Sequence, residues 1–224
     1  MLNKGKKHNE LENVEQVLTS SEAFIEKYQK QILYVVGTIV MVVIIILAFR
    51  NFYLKPREIE AENEMYKAQT YFNTDSFKIA LVGKANEFIG FKEIISEYGI
   101  TSSGNLAAAY AGICYYKLGE YDNAIKNLTQ FDGEDEYFTT SITGLIGDSY
   151  VELGETKKAV SYFEKAADMN NEVLSPVYLK KAGFVYESLN QPEKALKLYI
   201  KIKDNFPKSN EAADIEKYIA RIQK

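Results

Sequence analysis

The feature that most constrains this chain is a motif that returns every 35 or 36 residues. One copy reads Gly112-x2-Tyr115-x3-Gly119-x4-Ala124-x3-Leu128, and the next reads Gly147-x2-Tyr150-x3-Gly154-x4-Ala159-x3-Phe163, with Ala166 following. A third reads Gly183-x2-Tyr186-x3-Asn190-x4-Ala195-x3-Tyr199, with Pro207 eight residues later. A fixed period of this length means stacked supersecondary units, each unable to bury its apolar face alone. Each residue type has a mechanical reason. Small residues let two helices of a pair approach, and Tyr fills the space beside them. Gly or Asn suits a left-handed turn ending the first helix. Ala near the start of the second helix avoids a clash, and a final Pro closes the unit.

A degenerate copy, Ala68-x2-Tyr71-x3-Asp75-x4-Ala80, lies 44 residues before the first full one, so it carries an insertion of about nine residues. Extra length around Val82–Phe91 is expected to extend or break its second helix before the run Phe91-Lys92-Glu93-Ile94-Ile95. At the other end, 210–222 reads as a closing helix, with Ala213, Ile215, Tyr218, Ile219 and Ile222 available to cap the last repeat. With only four prolines, the expected fold is all-α: about four helix pairs plus a C-terminal capping helix. Residues 61–224 resemble the tetratricopeptide repeat family, although the consensus Trp is replaced by Ala108, Thr143 and Leu179.

Ahead of the repeats, Ile32 to Phe49 are eighteen consecutive uncharged residues bounded by Lys30 and Arg50. At 1.5 Å per residue they extend roughly 27 Å, close to a hydrocarbon core. Tyr34 on one side and Phe52 with Tyr53 on the other are candidate interfacial anchors. A long charged region precedes the run and no A-x-A-like site follows, so the segment reads as a retained transmembrane helix rather than a cleaved signal. Its single glycine, Gly37, builds no GxxxG face. The expected organisation is a charged tail at 1–30, a membrane helix at 31–53 in contact with lipid, and a repeat domain at 54–224. In the tail, Leu11, Val14, Leu18, Ile25 and Tyr28 recur at helical spacing, and Thr19 with Glu22 has the capping-box pattern. An amphipathic helix and a partly ordered tail both fit.

Charge leaves membrane orientation open: two Lys/Arg lie in the twenty residues before Gln31 and four in the twenty after Phe49, while the whole tail holds five. Past Tyr53 the chain holds 21 Lys/Arg against 26 Asp/Glu with no basic stripe, which argues against nucleic-acid binding. The only histidine is His8 and the only cysteine is Cys114, so His/Cys metal sites and His-dependent nucleophilic centres cannot be assembled. No GxxxxGK[ST] loop is present. The acidic cluster Asp132, Glu134, Asp135, Glu136 reads as a solvated loop between repeats. No enzyme activity and no cofactor are expected.

A charged tail, one early membrane helix and a short tetratricopeptide domain also resemble the YfgM family, and Phe24-Ile25-Glu26-Lys27-Tyr28 leading into the anchor has a similar look. The resemblance implies an ancillary subunit of the bacterial SecYEG translocon, associated with the membrane-anchored periplasmic chaperone PpiD. It implies a cytoplasmic N-terminus, a periplasmic repeat domain, and translocon subunits, chaperone or exported chains as partners. An adaptor for another envelope assembly and a cytosol-facing receptor or co-chaperone remain open.

Tetratricopeptide solenoids usually bind along a concave surface lined by the first helix of each pair. Carried over by position, that surface takes Leu106, Ala109, Ile113, Tyr116 and Lys117, then Ser141, Gly144, Asp148, Val151 and Glu152, then Val177, Lys180, Phe184, Glu187 and Ser188. Only Lys117 and Lys180 are basic, too few for the cluster that grips a terminal carboxylate. Leu106, Ile113, Tyr116 and Phe184 instead suit a helix or an extended apolar segment.

Overall fold

The computed structural model describes residues 27–223 and divides the chain into two compact units, Met1–Pro56 and Arg57–Lys224. His8, the Thr19–Glu22 capping box and the helical pattern at Leu11–Ile25 lie outside the described residues.

In the first unit, α1 (27–48) is followed by a π-helical turn, Phe49–Leu54, in which the Lys55 amide donates to the Arg50 carbonyl. The apolar window here has mean hydropathy 3.1 and none of it is buried, so this helix is long and apolar enough to cross a membrane. The Thr38 hydroxyl, well inside the apolar run, donates back to the Tyr34 carbonyl at 2.8 Å and so needs no water. At the far end the Phe49 and Tyr53 rings stack at 5.1 Å.

The second unit is built from helix pairs. After α2 (Lys55–Phe72) come α3 (Phe77–Val82), a two-residue antiparallel hairpin of β1 (Gly83–Lys84) and β2 (Phe88–Ile89), and α4 (Phe91–Tyr98). Then α5 (Ser102–Lys117) pairs with α6 (Tyr121–Leu128), α7 (Glu136–Glu152) with α8 (Thr156–Ala167), and α9 (Leu174–Ser188) with α10 (Pro192–Asn205). A 3₁₀ turn, Glu211–Asp214, leads into α11 (Ile215–Ile222). The inserted residues therefore break the second helix of the first repeat, and they do so with a hairpin that an all-α expectation does not contain.

The motif's mechanics are visible in all four copies. Tyr71, Tyr115, Tyr150 and Tyr186 each supply the carbonyl that accepts a 6→1 hydrogen bond (2.8–3.0 Å) from Ser76, Glu120, Glu155 and Gln191. The residue between, Asp75, Gly119, Gly154 or Asn190, sits at φ +56, +79, +73 or +54°, the left-handed cap of a Schellman turn. Ala80, Ala124, Ala159 and Ala195 have no exposed surface. Gly112, Gly147 and Gly183 lie directly beneath Leu128, Phe163 and Tyr199 of their own second helices; a Cβ on Gly147 would sit 2.6 Å from Phe163 Cε1. The residues standing in for the consensus Trp, Ala108, Thr143 and Leu179, are all buried.

Side chains at the joints between repeats start the first helices. Glu58 accepts the Ser102 and Ser103 amides at 2.7 and 2.9 Å, and Thr101 and Asp135 cap α5 and α7. Asn171, itself buried, accepts the Val173 and Leu174 amides and donates to Glu136. The acidic loop is thus an inter-repeat joint, with Asp132 bonded through its backbone to Asn105 and Glu136 to Asn171. At the C-terminus Ile215 and Ile219 are buried, with Tyr218 and Ile222 packed beside them. Ala213 is exposed instead, because the 3₁₀ turn rotates Ala212 inward in its place.

Two substitutions separate packing from turn geometry. Gly147→Ala is expected to cost about 1–3 kcal/mol through overlap with Phe163. Gly154→Asn should be close to neutral, since Asn190 already holds that conformation and nothing lies within 4 Å of a Cβ at Gly154. Urea unfolding of both variants checks the contrast.

Candidate protein-binding groove

The first helices α5, α7 and α9 place their matching residues one repeat apart, and the side chains read from the sequence distribute unevenly along that face. Leu106 and Ile113 on α5 are half-buried against the N-terminal core cluster. Tyr116 is half-buried, edge-on to Tyr121 at 5.6 Å, and Lys117 is exposed. Burial, with the nearby Asp148 and Glu152 carboxylates adding to it, raises the Tyr116 phenol above its ordinary range. Tyr116 and Asp148 are thereby brought together across two repeats.

Asp148 is held in turn by Lys181, whose ammonium reaches both carboxylate oxygens at 2.7 and 2.8 Å. Position-by-position reading of the repeat passed over Lys181, because it points back to the preceding repeat. The signal that finds it is an acid and a lysine 33 residues apart on consecutive first helices. On α9 the last repeat differs from the others. Lys180 Nζ binds Asp214 at 2.5 Å and lies 4.9 Å from the Tyr218 ring centre, and the Phe184 ring is 5.3 Å from Tyr218. The closing segment therefore engages Lys180 and Phe184, although Phe184 keeps 42% of its surface exposed. Val177 lines a cleft of about 720 Å³ together with Val173, Phe206 and Pro207.

Two positions carried over by pattern do not reach the surface. Ala109 has no exposed area, and Gly144 is buried under the Tyr178 ring, where a Cβ would overlap it. At these places the small side chain lets the following repeat close in, so the face is narrower than equal spacing implies. Tyr137 and Val151 on α7, and Val173 just before α9, are each more than 40% exposed.

Nothing in this arrangement activates a nucleophile or an acid–base pair. Burial pushes the Cys114 thiol up to about 12, which keeps it protonated and inert. Among the described residues no group of three His, Cys, Asp or Glu side chains could hold a metal ion. The shifted tyrosines act in stability. Burial, reinforced by a 2.8 Å bond to Glu164, pushes Tyr186 up to about 12; burial and then Asp148 do the same to Tyr178. Tyr199, buried and donating to Glu187 at 2.6 Å, is raised as well.

Tetratricopeptide repeat family models match residues 110–132, 144–173 and 179–209. The chain is 30% identical over 95 residues to the uncharacterized protein ycf37 of Guillardia theta, covering 41% of this chain and spanning about half (52%) of that relative's length. Two crystal structures of nearly identical TPR-like repeats from Podosopora anserina, assigned to a kinesin light chain, superpose with a TM-score of 0.52 at 13% identity. They cover 73% of this chain and 84 or 85% of their own, and one of the two is a point variant of the other.

These phenols predict an alkaline limit. Their folded pKa values exceed the ordinary 10, so their contribution is complete below pH 10 and is lost as pH rises toward 12, where the unfolded chain releases the protons first. Urea midpoints measured from pH 8 to about 11.5 should fall above pH 10, and Tyr186→Phe should flatten that fall. Fold, repeats and matched models converge on one statement: the chain carries a tetratricopeptide-like α-solenoid, a fold that is typically a non-catalytic scaffold binding other proteins.

Proposed function

We propose that this chain is a single-pass protein of a bacterial inner membrane, with residues 31–53 in lipid and the repeat unit on the periplasmic side. In that place it serves protein export by binding translocon subunits, a membrane-anchored chaperone or exported chains. The observation that carries the reading is the pairing of a wholly unburied apolar helix of mean hydropathy 3.1 with a tetratricopeptide-like repeat fold, typically a protein-binding scaffold. The resemblance of the chain's layout to the YfgM family supports the translocon as the assembly served.

The groove on α5, α7 and α9 takes the partner segment through Leu106, Ile113, Tyr116, Val177 and Phe184. Asp148, Lys117 and Lys180 set its charge pattern. Asp148 and Lys180 are already paired with Lys181 and Asp214, so the side chains left to contribute affinity are mainly apolar and aromatic. A helix or extended apolar segment suits that surface better than a charged terminus.

Reporter fusions at both termini test the orientation; an exported C-terminus is expected, and a cytosolic one sinks the proposal. With a photoreactive residue at position 116 or 184, crosslinking before mild detergent extraction should recover translocon subunits or a membrane chaperone. Recovery of envelope components without any translocon subunit would assign the groove to a different assembly.

A further inference from the structure

Among the described residues, the stacking of repeats leaves one face without a neighbour. In α5, Ala107, Tyr110 and Cys114 turn toward the preceding repeat, where Tyr110 stacks on Phe91 at 5.3 Å and meets Phe72 edge-on at 4.9 Å. The same register positions in α7 are Ile142, Leu145 and Ser149, and in α9 Tyr178, Lys181 and Val185; all are buried or half-buried. In α2 they are Asn63, Tyr66 and Thr70, all exposed, with Tyr66 at 74% and Ile59 two turns back at 53%. Tyr66 thus occupies the place from which Tyr110 grips the repeat before it, and the described residues put no repeat there to grip. The opposite end is finished differently: α11 buries Ile215 and Ile219 and turns Glu216, Lys217 and Arg221 to solvent.

The surroundings of this open face are predominantly acidic. Glu60 and Glu62 flank the Ile59–Tyr66 stripe and are exposed. Tyr98 borders it, and after burial the carboxylates of Glu60, Glu97 and Glu64 are what raise its phenol. Most of the nearby cations are committed: Lys67 binds Glu64 at 2.5 Å, Lys84 binds Glu87 at 2.7 Å, and Arg57 lies over the Tyr98 ring and donates to the Glu97 carbonyl, while the exposed Lys55 lies one turn before Ile59. The imbalance extends along the chain, since residues 57–155 carry 17 Asp/Glu against 7 Lys/Arg, whereas residues 156–224 carry 9 against 13.

We infer that the outer face of α2, centred on Ile59 and Tyr66, is a second docking surface whose occupant is a basic amphipathic helix of another protein. An apolar stripe on that helix continues the inter-repeat packing one step beyond α2, and its flanking Lys or Arg meet Glu60, Glu62 and Glu97. The surface is separate from the groove and does not depend on what the groove binds.

The test uses the full chain in phosphatidylcholine nanodiscs, with empty nanodiscs as background. The probes are a labelled Leu/Lys amphipathic helical peptide of about five turns and a Leu/Glu peptide of the same pattern. The Leu/Lys peptide is expected to bind and the Leu/Glu peptide not. Binding should weaken about tenfold in a Glu60→Lys, Glu97→Lys variant and several-fold in Tyr66→Ala, and should fall with added salt. Glu193→Lys, exposed on α10 and part of neither surface, should leave it unchanged. All four positions retain solvent exposure, and unchanged melting temperatures confirm that the variants fold. Equal affinity for both peptides, no signal above empty nanodiscs, or a loss caused by Glu193→Lys alone would overturn the inference. So would a concentration-dependent dimer abolished by Tyr66→Ala, which would give the face to a second copy.

Discussion

The contact on which the solenoid depends is the seat of one large side chain on a glycine. Leu128, Phe163 and Tyr199 each rest on Gly112, Gly147 and Gly183 of the helix before them, at a distance that leaves no room for a Cβ. That seat sets how closely the two helices of a pair approach. The Schellman turns at Gly119, Gly154 and Asn190 then return the chain at the angle the seat requires. Dispersion and apolar burial do the rest, because each closed pair still presents an unsatisfied face to the next. Two core clusters result, one from Met65 to Ile146 and one from Ala159 to Ile219, with Tyr150 bordering both.

Polar groups at the joints make the stacking directional. Glu58, Thr101, Asp135 and Asn171 accept amides at the starts of first helices, and each such bond satisfies a donor that a buried helix end would otherwise leave orphaned. The Asp148–Lys181 pair and the Glu187 carboxylate, shared by Tyr199 and Arg221, tie successive elements along the axis. What remains for binding is whatever this consumption leaves over. On α5 and α7 that means apolar and aromatic surface with acidic neighbours. On α9 the closing helix already engages Lys180 and Phe184, so that end of the groove is shaped by the chain's own terminus.

The two ends of the repeat unit are chemically unlike. A solenoid needs a polar outer face wherever stacking stops. The amphipathic α11 supplies one at the C-terminal end, whereas α2 keeps an inter-repeat register of side chains that no described repeat covers. The lateral surface along the first helices and the end surface at α2 thus carry different chemistry.

Most of the fold was legible in the residues. The spacing of Gly, Tyr and Ala names helix pairs because each position answers a local steric demand, and eighteen uncharged residues name a membrane-length helix by length alone. The candidate groove was legible only in part. Periodicity says which helix face a residue shares, and so groups Tyr116, Asp148 and Phe184 as candidates. It says nothing of what the neighbouring repeat places over them. The burial of Ala109 and Gly144, the pairing of Asp148 with Lys181 and of Lys180 with Asp214, the hairpin at Gly83–Ile89 and the exposure of Tyr66 were all decided by tertiary structure. The physical reason is common to them: spacing along one helix is set by 3.6 residues per turn, whereas the distance between residues 33 to 36 positions apart is set by how closely two repeats pack.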